Sequence, residues 1–228
     1  TGTISIRTVY HAVKESCQSA RGVWKQGADA FLNELIWREF YYQILANYPH
    51  VATGSFKAEY DRLPWARNDE RLDAWRCGCT GYPIVDAAMR QLVSEGWMHN
   101  RSRMVVANFL VKDLHLNWQT GEEFFMEHLA DGDPALNNGG WQWCAGTGTD
   151  AQPWFRILNP TLQSKRFDPR GKYLKRYLPE LRNVPDPYLH EPWLMPRPVQ
   201  ERAGCFIGRH YPAPIVDHER ERKRTLEI

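Results

Sequence analysis

The sequence predicts a mostly α-helical protein, and three observations carry that reading. Apolar residues recur at helical spacing in several long stretches, and helix start and stop residues flank those stretches. Alternating strand patterns bounded by turn residues are scarce throughout. With 228 residues the chain is long enough to bury a substantial core without disulfides or metal. It shows neither an internal repeat nor a low-complexity linker, so one domain over residues 1–228 is the better count.

The elements follow in order. Residues 29–48 read as a helix, with Asp29 as N-cap, an apolar stripe of Leu32, Leu35, Ile36, Phe40 and Ile44, and Pro49 as its stop. A second helix opens at Pro83 and runs to about Glu95, where Gly96 supplies a C-terminal stop. A third runs from about His99 to Leu114, and a shorter fourth covers about Gly121 to Leu129. Asp133 then caps a fifth helix whose first residue is Pro134. From Pro153 onward the texture changes, because eleven of the fifteen prolines lie in the last 76 residues. That region predicts a helix or two, around Lys172 to Leu178, between extended segments packed on the bundle.

Composition narrows the class. Apolar residues at 43% and charged residues at 25% exclude general disorder. Ten Trp, ten Tyr and nine Phe are far more aromatic residues than average usage supplies. The net charge of +2 permits nucleic-acid binding without demanding it, since clustering on one face is what counts. Five cysteines at irregular spacing indicate free thiols in a reducing compartment, and Cys77-Gly-Cys79 lacks the second pair a metal site needs. No apolar run of membrane-spanning length and no signal-peptide pattern occurs, so a soluble, cytoplasmic monomer is expected. A start at Thr1 rather than methionine suggests a piece of a longer chain.

Three stretches hold residue types that neither a core nor a plain surface selects. On the first helix Glu34, Trp37, Arg38 and Tyr41 align on one face. They make either a surface ion pair beside a partly covered indole or the wall of a polar-aromatic cavity for a flat ligand. On the third, Asn100, Arg103, Met104 and Ala107 share a face beside Trp97, His99 and Arg101. Arg101 and Arg103 cannot both point at one spot, so either one reaches inward or both are solvated. In DGDPALNNGGWQW, Asp131 and Asp133 precede a helix N-terminus that favours negative charge, and Asn137 lies one turn before Trp141. Gly139 and Gly140 cost helix stability, about 1 kcal/mol each, so something must approach the backbone there. Nucleobases, pterins and flavins have edges that fit such a pocket. Finally, Lys165 to Arg176 holds six positive residues and one negative. It is either a solvated face or a track for a phosphate backbone, and an aromatic pocket with a basic rim suits a base swung out of a duplex.

The stretches NELIWREFY (Asn33 to Tyr41), TGYPIVDAAMRQL (Thr80 to Leu92), GWMHNRSRM (Gly96 to Met104) and DGDPALNNGGWQW occur in the order and composition of the photolyase/cryptochrome family. The chain resembles that family over nearly its whole length, and most resembles the class I cyclobutane-pyrimidine-dimer photolyases. The resemblance implies an all-α, FAD-binding C-terminal domain, with reduced FADH⁻ passing a light-driven electron to a pyrimidine dimer in UV-damaged DNA. It implies flavin contacts at Phe31, Arg38, Asn100, Arg103 and Asp131-Gly132-Asp133, with Glu34, Trp37 and Tyr41 in the same pocket and Asn137 facing the flavin N5. Glu34 and Met104 would touch the lesion, Trp37 and Trp143 would stack along the flipped dimer, and Arg101 and Lys165 would hold DNA. Trp141, Trp118 and Trp65 correspond to a relay that carries an electron from the surface to photoexcited flavin.

The antenna domain of the family has no counterpart in these residues, so no light-harvesting chromophore is expected on them. GTISIR (Gly2 to Arg7) resembles the sequence just beyond the family's FAD-phosphate segment, which puts flavin affinity of this chain in question. The competing readings are a cryptochrome-type photoreceptor and a flavin-free helical DNA-binding module. Glu34, Met104, Asn137 and Trp143 match the repair pattern. His99-Asn100, where (6-4) enzymes place a histidine pair, favours cyclobutane dimers.

Overall fold

The computed structural model describes residues 4–19 and 21–228, so Gly2 and Thr3 of GTISIR lie outside the described residues. Eleven α-helices follow one another among the described residues: α1 (Ile6–Ser19), α2 (Val23–Asn47), α3 (Asp69–Arg76), α4 (Pro83–Glu95), α5 (Asn100–Asn108), α6 (Trp118–His128), α7 (Pro134–Ala145), α8 (Pro160–Phe167), α9 (Lys172–Tyr177), α10 (Arg197–Ala203) and α11 (His218–Glu227). A π-helical turn, Phe109–Asp113, continues α5. The described residues contain only isolated β-bridges, one of which joins Ala66 to Leu116. The all-α expectation holds.

Local signals fix the best-formed ends. Pro83 opens α4, and Gly96 closes it in the left-handed conformation at φ 65. The Asp133 carboxylate accepts from the backbone N–H of Ala135 (3.0 Å) and Leu136 (3.1 Å), so α7 begins as expected. His99 caps α5 through its ring nitrogen, which accepts from the Arg101 N–H at 3.0 Å. Asn117 starts α6 three residues earlier than Gly121, by accepting from the Gln119 N–H at 3.0 Å.

Three expectations need correction. Helix α2 begins at Val23, so Asp29 is interior and caps nothing; Gly22 precedes the helix with no side-chain cap. Propagation adds a hydrogen bond per residue once a helix exists, which outweighs the interior Gly27 and Asp29. Its apolar stripe is not a core stripe either: no residue of α2 is buried, and Ile36 is 64% exposed. After Pro153 the chain forms α8 to α11, more than the one or two helices expected. These helices are short, between six and ten residues, so their periodicity is too brief to read.

The core gathers around α4, α5 and its π-turn, with α6 and α7 beside them. Within it Asp86 is fully buried and accepts from Thr80 N–H (2.7 Å), Thr80 hydroxyl (2.6 Å), Gly81 N–H (3.0 Å) and Tyr211 hydroxyl (2.5 Å). Helix α2 lies outside this core and leans on α1 and α7. The groove it leaves against α5 and α7 is where the site forms.

Candidate functional site

A cavity of about 700 Å³ opens between α2, α5 and α7, within the range of small-molecule and cofactor sites. Helix α2 contributes Phe31, Glu34, Trp37, Arg38 and Tyr41, and α5 contributes Asn100, Arg103 and Met104. The turn before α7 adds Asp131, Gly132 and Asp133, while α7 adds Asn137, Trp141 and Trp143. Every cofactor position named from the sequence lies on this wall. Leu35, Phe125, Leu129, Leu136, Cys144 and Asp150 line it too and were not identified as site residues from the sequence. Leu35 was visible only as part of an apolar stripe, and Asp150 follows a loop with no periodic signal.

Charge is distributed with some economy. Arg103 reaches inward, donating from Nη2 to both Asp131 oxygens (2.9 and 2.8 Å) and from Nε to the Met98 carbonyl (2.8 Å). Arg101 turns outward and covers the Phe167 ring at 4.8 Å from its centroid. Arg38 donates to Glu39 at 2.6 Å and sits 4.1 Å over the Tyr42 ring. Glu34, one turn from Arg38, makes no ion pair among the described residues, so the expected alternative of a Glu34–Arg38 pair is not what forms. The Tyr42 hydroxyl donates to Asp133, which raises the tyrosine's pKa and ties α2 to the start of α7. Tyr41 is pushed up to about 12, first by burial and then by Asp150.

The asparagines and glycines of DGDPALNNGGWQW divide by helix face. Asn137 donates its amide nitrogen to the Glu122 carbonyl at 2.9 Å, which leaves its amide oxygen for a ligand. Asn138 and Gln142 do not face the cavity. They are buried and donate to the Val51 carbonyl (2.9 and 3.1 Å), while Gln142 accepts from the Phe56 N–H at 2.9 Å. Of the side-chain amides in this stretch only Asn137 lines the cavity. Asn138 also donates to Glu122, whose carboxyl is raised to about 7 by burial. At Gly139 a Cβ would run into the Tyr41 ring, so that glycine lets α2 and α7 meet. At Gly140 a Cβ would meet nothing within 4 Å, and this position opens to the cavity.

Trp141 is 2% exposed and its indole Nε1 has no hydrogen-bond partner among the described residues. A buried donor without a partner in a cavity wall is a place where a ligand acceptor fits. Trp118 is also 2% exposed and opens α6, whereas Trp65 is only partly buried. Topology links the three. A Cβ on Gly121, three residues into α6 from Trp118, would strike the Trp141 ring. The Ala66–Leu116 bridge sets the residue after Trp65 beside the residue two before Trp118. A fourth indole, Trp75, packs on Trp141 at 6.1 Å between ring centroids.

Lys165 and the basic stretch lie away from the cavity wall. Lys165 pairs with Glu191, Lys175 with Asp186 (3.2 Å) and Arg176 with Glu95 (2.8 Å), so part of the charge that read as a free track is already matched. Among the described residues no group of three or more His, Cys, Asp or Glu could hold a metal ion, and no helix is long and apolar enough to cross a membrane.

Comparison with known proteins matches residues 31–228 to the family described as the FAD binding domain of DNA photolyase. The deoxyribodipyrimidine photo-lyase of Escherichia coli is 50% identical over 228 residues, covering 99% of this chain and 46% of the relative. That of Vibrio cholerae is 50% identical over 212 residues, covering 92% of this chain and 44% of the relative. A class III photolyase from Agrobacterium tumefaciens superposes with a TM-score of 0.93 at 43% identity, over 99% of this chain and 46% of that structure. A Synechocystis cryptochrome superposes with a TM-score of 0.92 at 36% identity, again over 99% and 46%. The chain spans about half the length of the relatives it matches.

Proposed function

This chain belongs to the DNA photolyase family, and from that premise we propose that the whole protein is a light-dependent lyase that splits cyclobutane pyrimidine dimers in DNA. The observation that carries the reading is the free carboxyl of Glu34. Arg38, its natural partner one turn on, is taken by Glu39, so an unpaired, exposed acid stands beside Trp37 at the mouth of an aromatic cavity. A pocket of that chemistry suits a flipped base: flat rings stack on the indoles, and the carboxyl meets a hydrogen-bonding edge.

The residues present fit FAD, given the cavity's size, the orphan Trp141 N–H and the open backbone at Gly140. Phe31, Arg38, Tyr41, Asn100, Arg103 and the Asp131–Asp133 turn would hold it, and the Asn137 amide oxygen would accept from an N–H of its ring system. When bound, reduced and excited by light, FAD supplies the electron that splits the dimer and recovers it afterwards. Glu34 would hydrogen-bond the lesion and favour the charge that exists only after electron transfer. Trp37 and Trp143 would stack along the dimer, Met104 would touch it, and Arg101 would hold a phosphate. Lys165 joins them at the cost of its contact with Glu191. Trp141, Trp118 and Trp65 would pass an electron inward to reduce the cofactor. Free thiols at Cys17, Cys77, Cys79, Cys144 and Cys205 suit a monomer working in the cytoplasm.

The test is illumination of the reduced full-length protein with an oligonucleotide carrying one thymine dimer. Dimer loss in light and none in the dark is expected. Reversible flavin photochemistry with the dimer untouched would instead favour the photoreceptor reading.

A further inference from the structure

His115 is the only non-glycine residue among the described residues with positive φ, at 56. A side chain in the left-handed region is strained and persists only where its surroundings over-determine it. Glycine would adopt this turn without strain, so the imidazole is there for what it holds. Its Nε2 meets the Glu221 carboxylate of α11 at 3.0 Å, and both side chains are 3% exposed. Glu221 is steadied in turn by Arg220, whose Nη2 donates to it at 2.9 Å. The backbone of His115 does a second thing: its carbonyl accepts the Ala66 N–H at 2.7 Å, one residue from Trp65. Three residues after His115 comes Trp118.

We propose that the buried His115–Glu221 pair is a positioning device for the outer half of the tryptophan relay. By pinning the strained turn to α11, it fixes the Ala66 segment against Leu116 and so sets the spacing of Trp65 and Trp118. The inference rests on the relay assignment made above. The step concerned moves one electron from Trp65 to oxidised Trp118, leaving Trp118 neutral and the oxidation on Trp65, with photoexcited flavin as the original oxidant. Burial holds the His115 pKa below the ordinary histidine value, in keeping with a neutral ring that donates to Glu221. Helix α11 also carries its own control. His218 pairs with Asp113 at 2.5 Å, also buried, and staples the same helix to the end of the π-turn, two residues before His115.

Transient absorption on the flavin-loaded full-length protein reads the yield of long-lived oxidised Trp65. Glu221→Leu is expected to cut that yield at least threefold while the first oxidation, at Trp141, and dimer repair by chemically reduced protein stay unchanged. Glu221→Gln, which keeps an acceptor for the ring, should recover more than half of the loss. His115→Gly, which keeps the backbone conformation without the imidazole, should reproduce it if Glu221→Leu does not fold. His218→Phe should lower thermal stability but leave the yield intact. An unchanged yield in Glu221→Leu and His115→Gly overturns the proposal, and so does an equal loss in His218→Phe. A long-lived signal that survives Trp65→Phe overturns the relay itself, and the positioning role with it.

Discussion

Helix α2 forms one whole wall of the cavity yet buries none of its residues, so its hold on the rest of the molecule depends on a few named contacts. Asp133 is the chief of these. One carboxylate oxygen caps α7 and the other receives the Tyr42 hydroxyl. Asp133→Ala removes the cap, worth about 1 kcal/mol. It also removes a hydrogen bond to a charged acceptor, which would be worth about 1.5–3 kcal/mol if buried. Tyr42 is 37% exposed, so that second contribution is discounted to about 1 kcal/mol. The sum of about 2 kcal/mol corresponds to a Tm lower by about 4–8 °C in a chain of this size. Asp133→Asn keeps the cap and should lose about half as much, and Tyr42→Phe should match it. Thermal melts and flavin retention through gel filtration, measured on all three variants, provide the check. The retained flavin should fall with Tm in Tyr42→Phe, which loosens the wall without touching the cavity lining, and fall further in the Asp133 variants, which also alter that lining. A drop of less than about 2 °C for Asp133→Ala, or Tyr42→Phe melting like the parent, would refute the reasoning.

Other consequences follow from the same geometry. Trp141→Phe should slow photoreduction of oxidised flavin severely while sparing repair by protein already reduced chemically, and equal loss of both would make Trp141 structural. Gly139→Ala drives a methyl into the Tyr41 ring and should cost about 1–3 kcal/mol by overpacking, whereas Gly140→Ala should stabilise the helix by up to about 1 kcal/mol yet weaken flavin binding. Lys112 is buried with no carboxylate partner among the described residues, against the Ala145 carbonyl and the Trp154 ring, and burial lowers it to about 7 from an ordinary 10.5. Between those values the unfolded chain binds the extra proton, so this lysine makes stability rise with pH from about 7 to 10.5. Lys112→Met should remove that slope, read in urea titrations at several pH values.

How far the sequence discloses the molecule depends on whether the signal is local. Pro83 with Gly96, and Asp133 with Pro134, are helix ends written in adjacent residues, and those helices form as read. The start of α2 is not, because a helix entering through Gly22 carries no cap in its letters. The cavity residues were legible because Glu34, Trp37 and Arg38 conflict with both a core and a plain surface. Asn137 and Asn138 show the limit. They are the same residue at adjacent positions, and only the segment around Val51, more than eighty residues away, decides that one faces the cavity and the other is buried. The Tyr42–Asp133 tie and the Glu39 partner of Arg38 were likewise invisible. Each is a choice between neighbours that spacing alone leaves equal.

Glu34 decides whether the cavity repairs dimers, and one measurement reaches it: dimers split per absorbed photon, in reduced full-length protein and in Glu34→Ala, beside the affinity of each for damaged DNA. The free carboxyl should matter most for charge that exists only after electron transfer. The yield per photon should fall clearly in the variant, while affinity changes by less than about 1–2 kcal/mol, one ordinary hydrogen bond. A yield unchanged in Glu34→Ala would remove the acid from the chemistry and contradict the repair reading of the cavity.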